Sequence, residues 1–237
     1  MSETDLSAPP SFGSPELRLP DELRAPLKKH LADLREQYRK LKWAGRTGFG
    51  KRPALVVIDL ALKWTKPASY PLGSNIDSVV DATREVVDAA RAAEIPIFFT
   101  TYDFDPAEPP SPHDRKTEGV IREDVDASLY AIDERLERRP NEKIVRKKYA
   151  SALRATNLEM NLAALGIDTL IVTGVSTSHC VYATCRDAAH TYRVIVPREA
   201  VGERCEIMHE VNLLDIDIDL GDVMPVADVI NHLQELN

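Results

Sequence analysis

Three residue types in this chain could together carry out acyl transfer, and each stands where an apolar stretch gives out. The first is Cys180, in "TLIVTGVSTSHCVYATCRDAA" (169–189), where a strand-like run turns into a helical one. A cysteine on an apolar helix face is ordinarily an inert core residue. At a helix N-terminus the first-turn N–H groups and the positive end of the helix dipole favour a thiolate. Those same amides can hold an oxyanion. The second is Asp59, which follows the apolar run of "ALVVID". Alone it reads as a turn residue; beside a nucleophile, a desolvated carboxylate is a candidate general base. The third is a lysine from "KIVRKKYA" (143–150), either Lys147 or Lys148. Fixed between a carboxylate and a thiol, an ammonium holds both as anions. Nucleophile, base and electrostatic stabiliser form one acyl-transfer set. Cys185 and Cys205 lack Cys180's placement and read as structural.

Such a set works only if the fold gathers it. Apolar strand-like runs at 54–60, 96–104, 143–150, 168–175, 193–201 and 222–226 alternate with helical patterns. The helices are read at 75–95, 157–167, 180–192, 206–215 and near the C-terminus in "ADVINHLQEL". In the 75–95 helix Val79, Val80, Val86, Val87 and Ala90 form the inner face. This alternation predicts an α/β fold, a parallel sheet with helices on both faces. In such sheets ligands bind beyond the carboxyl ends of the strands, which is where all three candidates fall. The polar, Pro-bearing stretch 105–125 reads as a loop long enough to suspect function.

Residues 1–20, rich in Pro, Ser and Glu, read as a disordered tail. Residues 21–45 predict a helical arm, capped by Asp21 and stopped by Gly45. Its stripe of Leu23, Leu27, Leu31, Leu34, Tyr38 and Leu41 needs a docking surface, on its own domain or on another subunit. Residues 46–237 form the remaining domain. The net charge of −8 disfavours nucleic acid and anionic membrane as partners. No run approaches the ~20 apolar residues of a spanning helix, and "MSETDLSAPPSFGSPELRLP" has no apolar leader core. Three cysteines without framework spacing suit reduced thiols, so a cytoplasmic protein is expected. Six scattered histidines and the absence of CxxC, HExxH or an EF-hand loop give an expectation of no metal and no cofactor.

The segments "ALVVIDL", "VRKKYASAL" and "TGVSTSHCVYAT" resemble, in that order, the signature segments of the isochorismatase-like cysteine hydrolases, over roughly residues 45–230. The family's K-x-x-x-S-A-F motif aligns Lys147 with the catalytic lysine and leaves Lys148 as the runner-up. The later "VIVPREAVGERCEIMHEVNLLDID" is similar to the N-carbamoylsarcosine amidase and maleamate amidase branch, with its V-G-[DE]-R and H-E-x-N-L-x-D. The resemblance implies a three-layer αβα fold with a six-stranded parallel sheet. It implies hydrolysis of a C–N bond in a small linear amide or N-carbamoyl (ureido) compound, through a thioester-type intermediate with ammonia released. It also implies a homotetramer with the arm at the interface. A cis Val175–Ser176 bond and an oxyanion hole made by the Ser176 and Cys180 amides are implied as well.

Arg204 in "VGER" is the candidate for a substrate carboxylate, by bidentate hydrogen bonding, or else a salt-bridge residue. Trp64, Tyr182, His179 and Arg154 depart from the family pattern near the expected pocket and are candidate substrate contacts. "YDFDPAEPPSPH" lacks the D-x-H spacing of the family's metal-dependent nicotinamidases, so no catalytic metal is expected. True isochorismatases lack the nucleophilic cysteine, so its presence favours amide chemistry. The competing reading is a homo-oligomeric scaffold or binding protein of the same fold.

Overall fold

The first strand, β1 (Pro53–Ile58), is buried at all six positions, the signature of a parallel strand covered on both faces. It is the hinge of the topology. In the computed structural model, which describes residues 18–66, 73–102, 105, 107–117 and 126–236, the sheet order is β3-β2-β1-β4-β5-β7. Every pairing is parallel. The strands are β2 (Ile97–Tyr102), β3 (Lys143–Lys147), β4 (Thr169–Val175), β5 (Arg193–Pro197), β6 (Val201–Gly202) and β7 (Asp222–Met224). The chain therefore builds outward from β1 to β3, then returns to lay β4 on the other side of β1. The crevice between β1 and β4 is the switch point at which such folds bind ligands.

Two layers of helix cover the sheet. On one face α3 (Asp77–Ala92) and α8 (Val226–Gln234) bury Val80, Val86, Val87, Val229 and Leu233. On the other, α5 (Leu158–Ala164), α6 (Tyr182–Ala188) and α7 (Glu206–Asp215) bury Leu158, Leu162, Cys185 and Leu213. All five residues expected on the inner face of α3 are buried. Short helices α2 (Leu62–Thr65) and α4 (Pro112–Lys116) lie in the connections after β1 and β2.

The arm helix α1 spans Asp21–Lys40 and docks on its own domain. Arg24 pairs with Glu206 at 2.7 Å, and Arg35 and Arg46 both pair with buried Asp217. Its ends differ from expectation. Pro20, not Asp21, holds the N-cap position, and the helix stops five residues before Gly45, with Lys42 at φ 60°. The expected strand 193–201 is two pieces. β5 pairs with the first half of β4, and β6 pairs with Gly174 and Val175 at its far end. Pro197, which has no N–H for a ladder, ends β5 there. The loop read at 105–125 contains α4, started by a capping box in which Ser111 and Asp114 exchange hydrogen bonds. The expected tail lies outside the described residues as far as Arg18.

Candidate active site

Neighbouring strands in register deliver their last residues to one place. Ile58 stands beside Gly174 and Tyr102 beside Lys147, so the chain just beyond β1 and β4 meets the end of β3. Gly174 sits at φ 105°, and a Cβ there would lie 2.0 Å from the Ile58 carbonyl oxygen. Only glycine lets the two backbones pass this closely. One residue on, Asp59 takes φ 49° and aims its carboxylate inward, 5% exposed.

Three side chains meet there. Lys147 Nζ lies 2.7 Å from Asp59 Oδ2 and donates to Cys180 Sγ at 3.3 Å. The Tyr149 carbonyl accepts from the same ammonium at 3.3 Å. Thr100 Oγ1 donates to Asp59 Oδ1 at 2.6 Å and accepts from the Asp59 amide at 3.1 Å. Lys147 and Thr100 are both buried. Burial pulls the Lys147 ammonium down, but the charges of Asp59 and Cys180 more than reverse this and hold it above the lysine range. The other lysine candidate, Lys148, is outside the cluster and pairs with Glu108.

Cys180 belongs to a π-helical turn, Thr177–Val181, that runs into α6. Its thiol is not lowered as a helix N-terminus predicts. Burial, and then the negative charge of Asp59, push it up to about 12 against the pull of Lys147. A short turn's dipole is small beside a charge in contact.

The loop after β6 closes the other side. Glu203, whose side chain is fully buried, accepts from the Ser178 amide at 2.9 Å, the Ser178 hydroxyl at 2.5 Å and the Arg204 amide at 2.9 Å. It thereby ties the cysteine's turn to Arg204. His179 bonds Ser178 Oγ through Nδ1 at 2.7 Å, with Arg204 3.5 Å from Nε2. Burial and then Arg204 lower its basicity. Thr177 Oγ1 donates to the Gly202 carbonyl at 3.0 Å, so His209 Nδ1, 2.9 Å away, is the donor to it. The Val175–Ser176 peptide is cis. Ser176, Trp64 and Arg204 line a narrow cleft together with Ser74, Ile76, Val175 and Glu203.

The other candidate contacts stand elsewhere. Tyr182 donates to Asp215 and packs on the core under α6, outside that lining. Arg154 is exposed and stacks on Tyr149 at 4.5 Å. Residues the sequence reading missed are Thr100, visible only as a hydroxyl in the apolar run "PIFFTTY", and Glu203, the acid of "VGER". Lys63 lies in α2, just beyond β1. It is fully buried, donates to the Tyr130 hydroxyl at 3.0 Å, and is pulled down to about 8 by burial. Among the described residues, no three His, Cys, Asp or Glu side chains are grouped to hold a metal ion.

Residues 53–228 match the model of the isochorismatase domain, from the first strand into the last helix. The chain belongs to the isochorismatase family. The N-carbamoylsarcosine amidase of Arthrobacter sp. is 35% identical over 205 residues, covering 84% of this chain and 78% of that protein. The maleamate amidohydrolase of Pseudomonas putida is 33% identical over 210 residues, covering 85% and 96%. A cysteine hydrolase from Pseudomonas syringae pv. phaseolicola shares the isochorismatase-family fold at TM-score 0.73. It is 23% identical, with 81% of this chain and 97% of that one covered.

Proposed function

We propose that this isochorismatase-family protein is a cysteine hydrolase of small linear amides or N-carbamoyl compounds. One observation carries the reading: a single buried ammonium lies 2.7 Å from a carboxylate and 3.3 Å from a thiol. The relatives' activities, on N-carbamoylsarcosine and maleamate, agree in bond type.

In this reading Asp59 takes the Cys180 proton as sulfur bonds the carbonyl carbon. Lys147 stays charged throughout and offsets the anion that moves from carboxylate to sulfur. The oxyanion is held by the Ser176 and Cys180 amides. As the C–N bond breaks, Asp59 returns its proton to nitrogen, and ammonia or an amine departs from a thioester or thiocarbamate. Asp59 then deprotonates the water that attacks this intermediate, releasing the thiol and either the acid or a carbamic acid that falls to carbon dioxide and whichever of ammonia and amine has not already left. Arg204, which lies 3.5 Å from His179 Nε2, binds a substrate carboxylate, with Trp64 shaping the cleft beside it.

Ammonia release from a panel of small amides and N-carbamoyl acids, with and without iodoacetamide, tests this. Cys180→Ala and Asp59→Asn should each cost about four or more powers of ten in turnover, as members of such triads do. Near-normal turnover by Cys180→Ala would eliminate the mechanism.

We also propose that the protein works as a homo-oligomer joined through the arm. Leu23, Leu41 and Trp43 are more than half exposed, and Ile207, Met208 and Val211 of α7 are 46%, 38% and 44% exposed. Light scattering should report a multimer that Leu41→Asp combined with Ile207→Asp reduces to a monomer. An unchanged mass for the double variant would move the interface elsewhere.

A further inference from the structure

Ser176 is held through both of its neighbours by one residue of β6. Val175 stands beside Gly202 in the sheet, and Thr177 donates through its hydroxyl to the Gly202 carbonyl at 3.0 Å. That hydroxyl is fully buried. Its one proton goes to Gly202, so toward His209 Nδ1, 2.9 Å away, it can only accept. Burial, helped by Arg198, lowers the basicity of His209 in spite of Glu210, Glu203 and Glu206. The ring is therefore neutral, with its single proton on Nδ1 and directed at Thr177. His209 stands on α7, which is pinned by its own acids. Glu206 holds Arg24 of the arm at 2.7 Å, and Glu210 holds Arg198 at 2.7 Å. A hydroxyl with two partners is fixed, whereas one with a single partner is free to turn toward the carbonyls of its own helical turn.

We infer that His209 is a positioning residue for the proposed amide hydrolysis: by donating to Thr177 it fixes the Ser176 amide where the oxyanion develops. This rests on the cysteine hydrolase reading of the site. The contacts that set the state of the thiol run instead through Asp59 and Lys147. The two tasks are therefore separable. Loss of the His209 bond weakens attack on a carbonyl, which needs the oxyanion held, and leaves the thiol's reactivity toward an alkyl halide as it was.

The test follows ammonia release and Cys180 alkylation by iodoacetamide side by side, in full-length protein. The substrate is whichever small amide or N-carbamoyl acid of the panel the unaltered protein hydrolyses fastest. His209→Leu should lower kcat about ten- to a hundredfold, less than outright deletion of an oxyanion donor, with KM and the alkylation rate within about twofold. His209→Asn places an N–H near Nδ1 and should restore most of kcat. His209→Asp has the same shape but only accepts, so it draws the Thr177 proton away from Gly202 and should not restore it. In a Thr177→Val background His209→Leu should cost nothing further, because the two residues act as one unit. If His209→Leu does not fold, Thr177→Val and the asparagine–aspartate pair carry the same comparison. The inference is overturned if kcat survives His209→Leu, if asparagine and aspartate behave alike, if alkylation slows in step with turnover, or if the two substitutions add. A failure of the hydrolase reading looks different: the unaltered protein then releases no ammonia from any member of the panel, and the inference falls with it.

Discussion

Replacing Lys147 by glutamine keeps a hydrogen-bond donor of similar length and removes the charge. From the observed distances, at an effective dielectric of about 20, the ammonium is worth about 6 kcal/mol to the Asp59 carboxylate and about 5 kcal/mol to a thiolate at Cys180. Five kcal/mol corresponds to between three and four powers of ten in thiolate population. Water entering the shortened side chain's space returns part of this, so a loss of about two to three powers of ten is expected. The assay is the second-order rate of iodoacetamide alkylation at Cys180, followed from neutral to alkaline pH. Lys147→Gln should slow alkylation about a hundredfold or more at each pH, with ammonia release falling in parallel. Lys148→Gln is the control, since that lysine pairs with Glu108 outside the cluster, and it should alkylate as the unaltered protein does. Identical curves for Lys147→Gln and the unaltered protein would refute the role given to this ammonium. Stability supplies a second check. Lys147 is held above its ordinary value of 10.5, so the ion pair contributes fully below that pH. Its contribution fades as pH rises through the folded-state value.

Glu203→Gln keeps the shape of the buried side chain but weakens three hydrogen bonds. KM for acidic substrates should rise about tenfold as Arg204 loosens; an unchanged KM in initial-rate kinetics counts against that tie. Asp133, beside Arg135 and Thr65, is held down to about 2 from 3.8, its burial outweighed by those hydrogen bonds. The stability it confers is present above pH 3.8 and lost as pH falls through about 2. Asp133→Asn should therefore cost about 2 kcal/mol at pH 7 in urea denaturation, a cost that shrinks toward nothing as pH falls below about 2. Asp217→Ala strips the buried partner from Arg35 and Arg46 and should speed protease cleavage within residues 21–45 at least several-fold. Equal cleavage rates would show that the arm is held by its apolar stripe instead.

Composition and spacing revealed the elements whose burial is uniform. β1 and β4 are buried at every position, and α7, though of mixed burial, occupies residues 206–215 as expected. The three candidate residues were visible because each stands at or just beyond a strand end: Asp59 after β1, Lys147 closing β3 and Cys180 in the turn after β4. Features set by backbone geometry were hidden. A π-helical turn has no residue signature in "STSHCV", so the helix was read as starting at Cys180 rather than earlier. The division of 193–201 depends on which part of β4 each piece pairs with, and periodicity along one strand does not report its partners. Thr100 and Glu203 act through residues distant in sequence. The thiol's direction of shift was misread because a helix terminus was weighed without the carboxylate in contact with it.

The crossing of Gly174 over Ile58 sets what this scaffold can vary. Because the backbones touch there, the residue bearing the proposed base and the loop bearing the proposed nucleophile cannot drift apart or slip in register independently. Diversity must enter around them, at cleft positions such as 64 and 204. A library that randomised those sites while keeping position 174 should yield altered appetites with the same bond-breaking core. A single methyl group added at 174 should silence the whole collection.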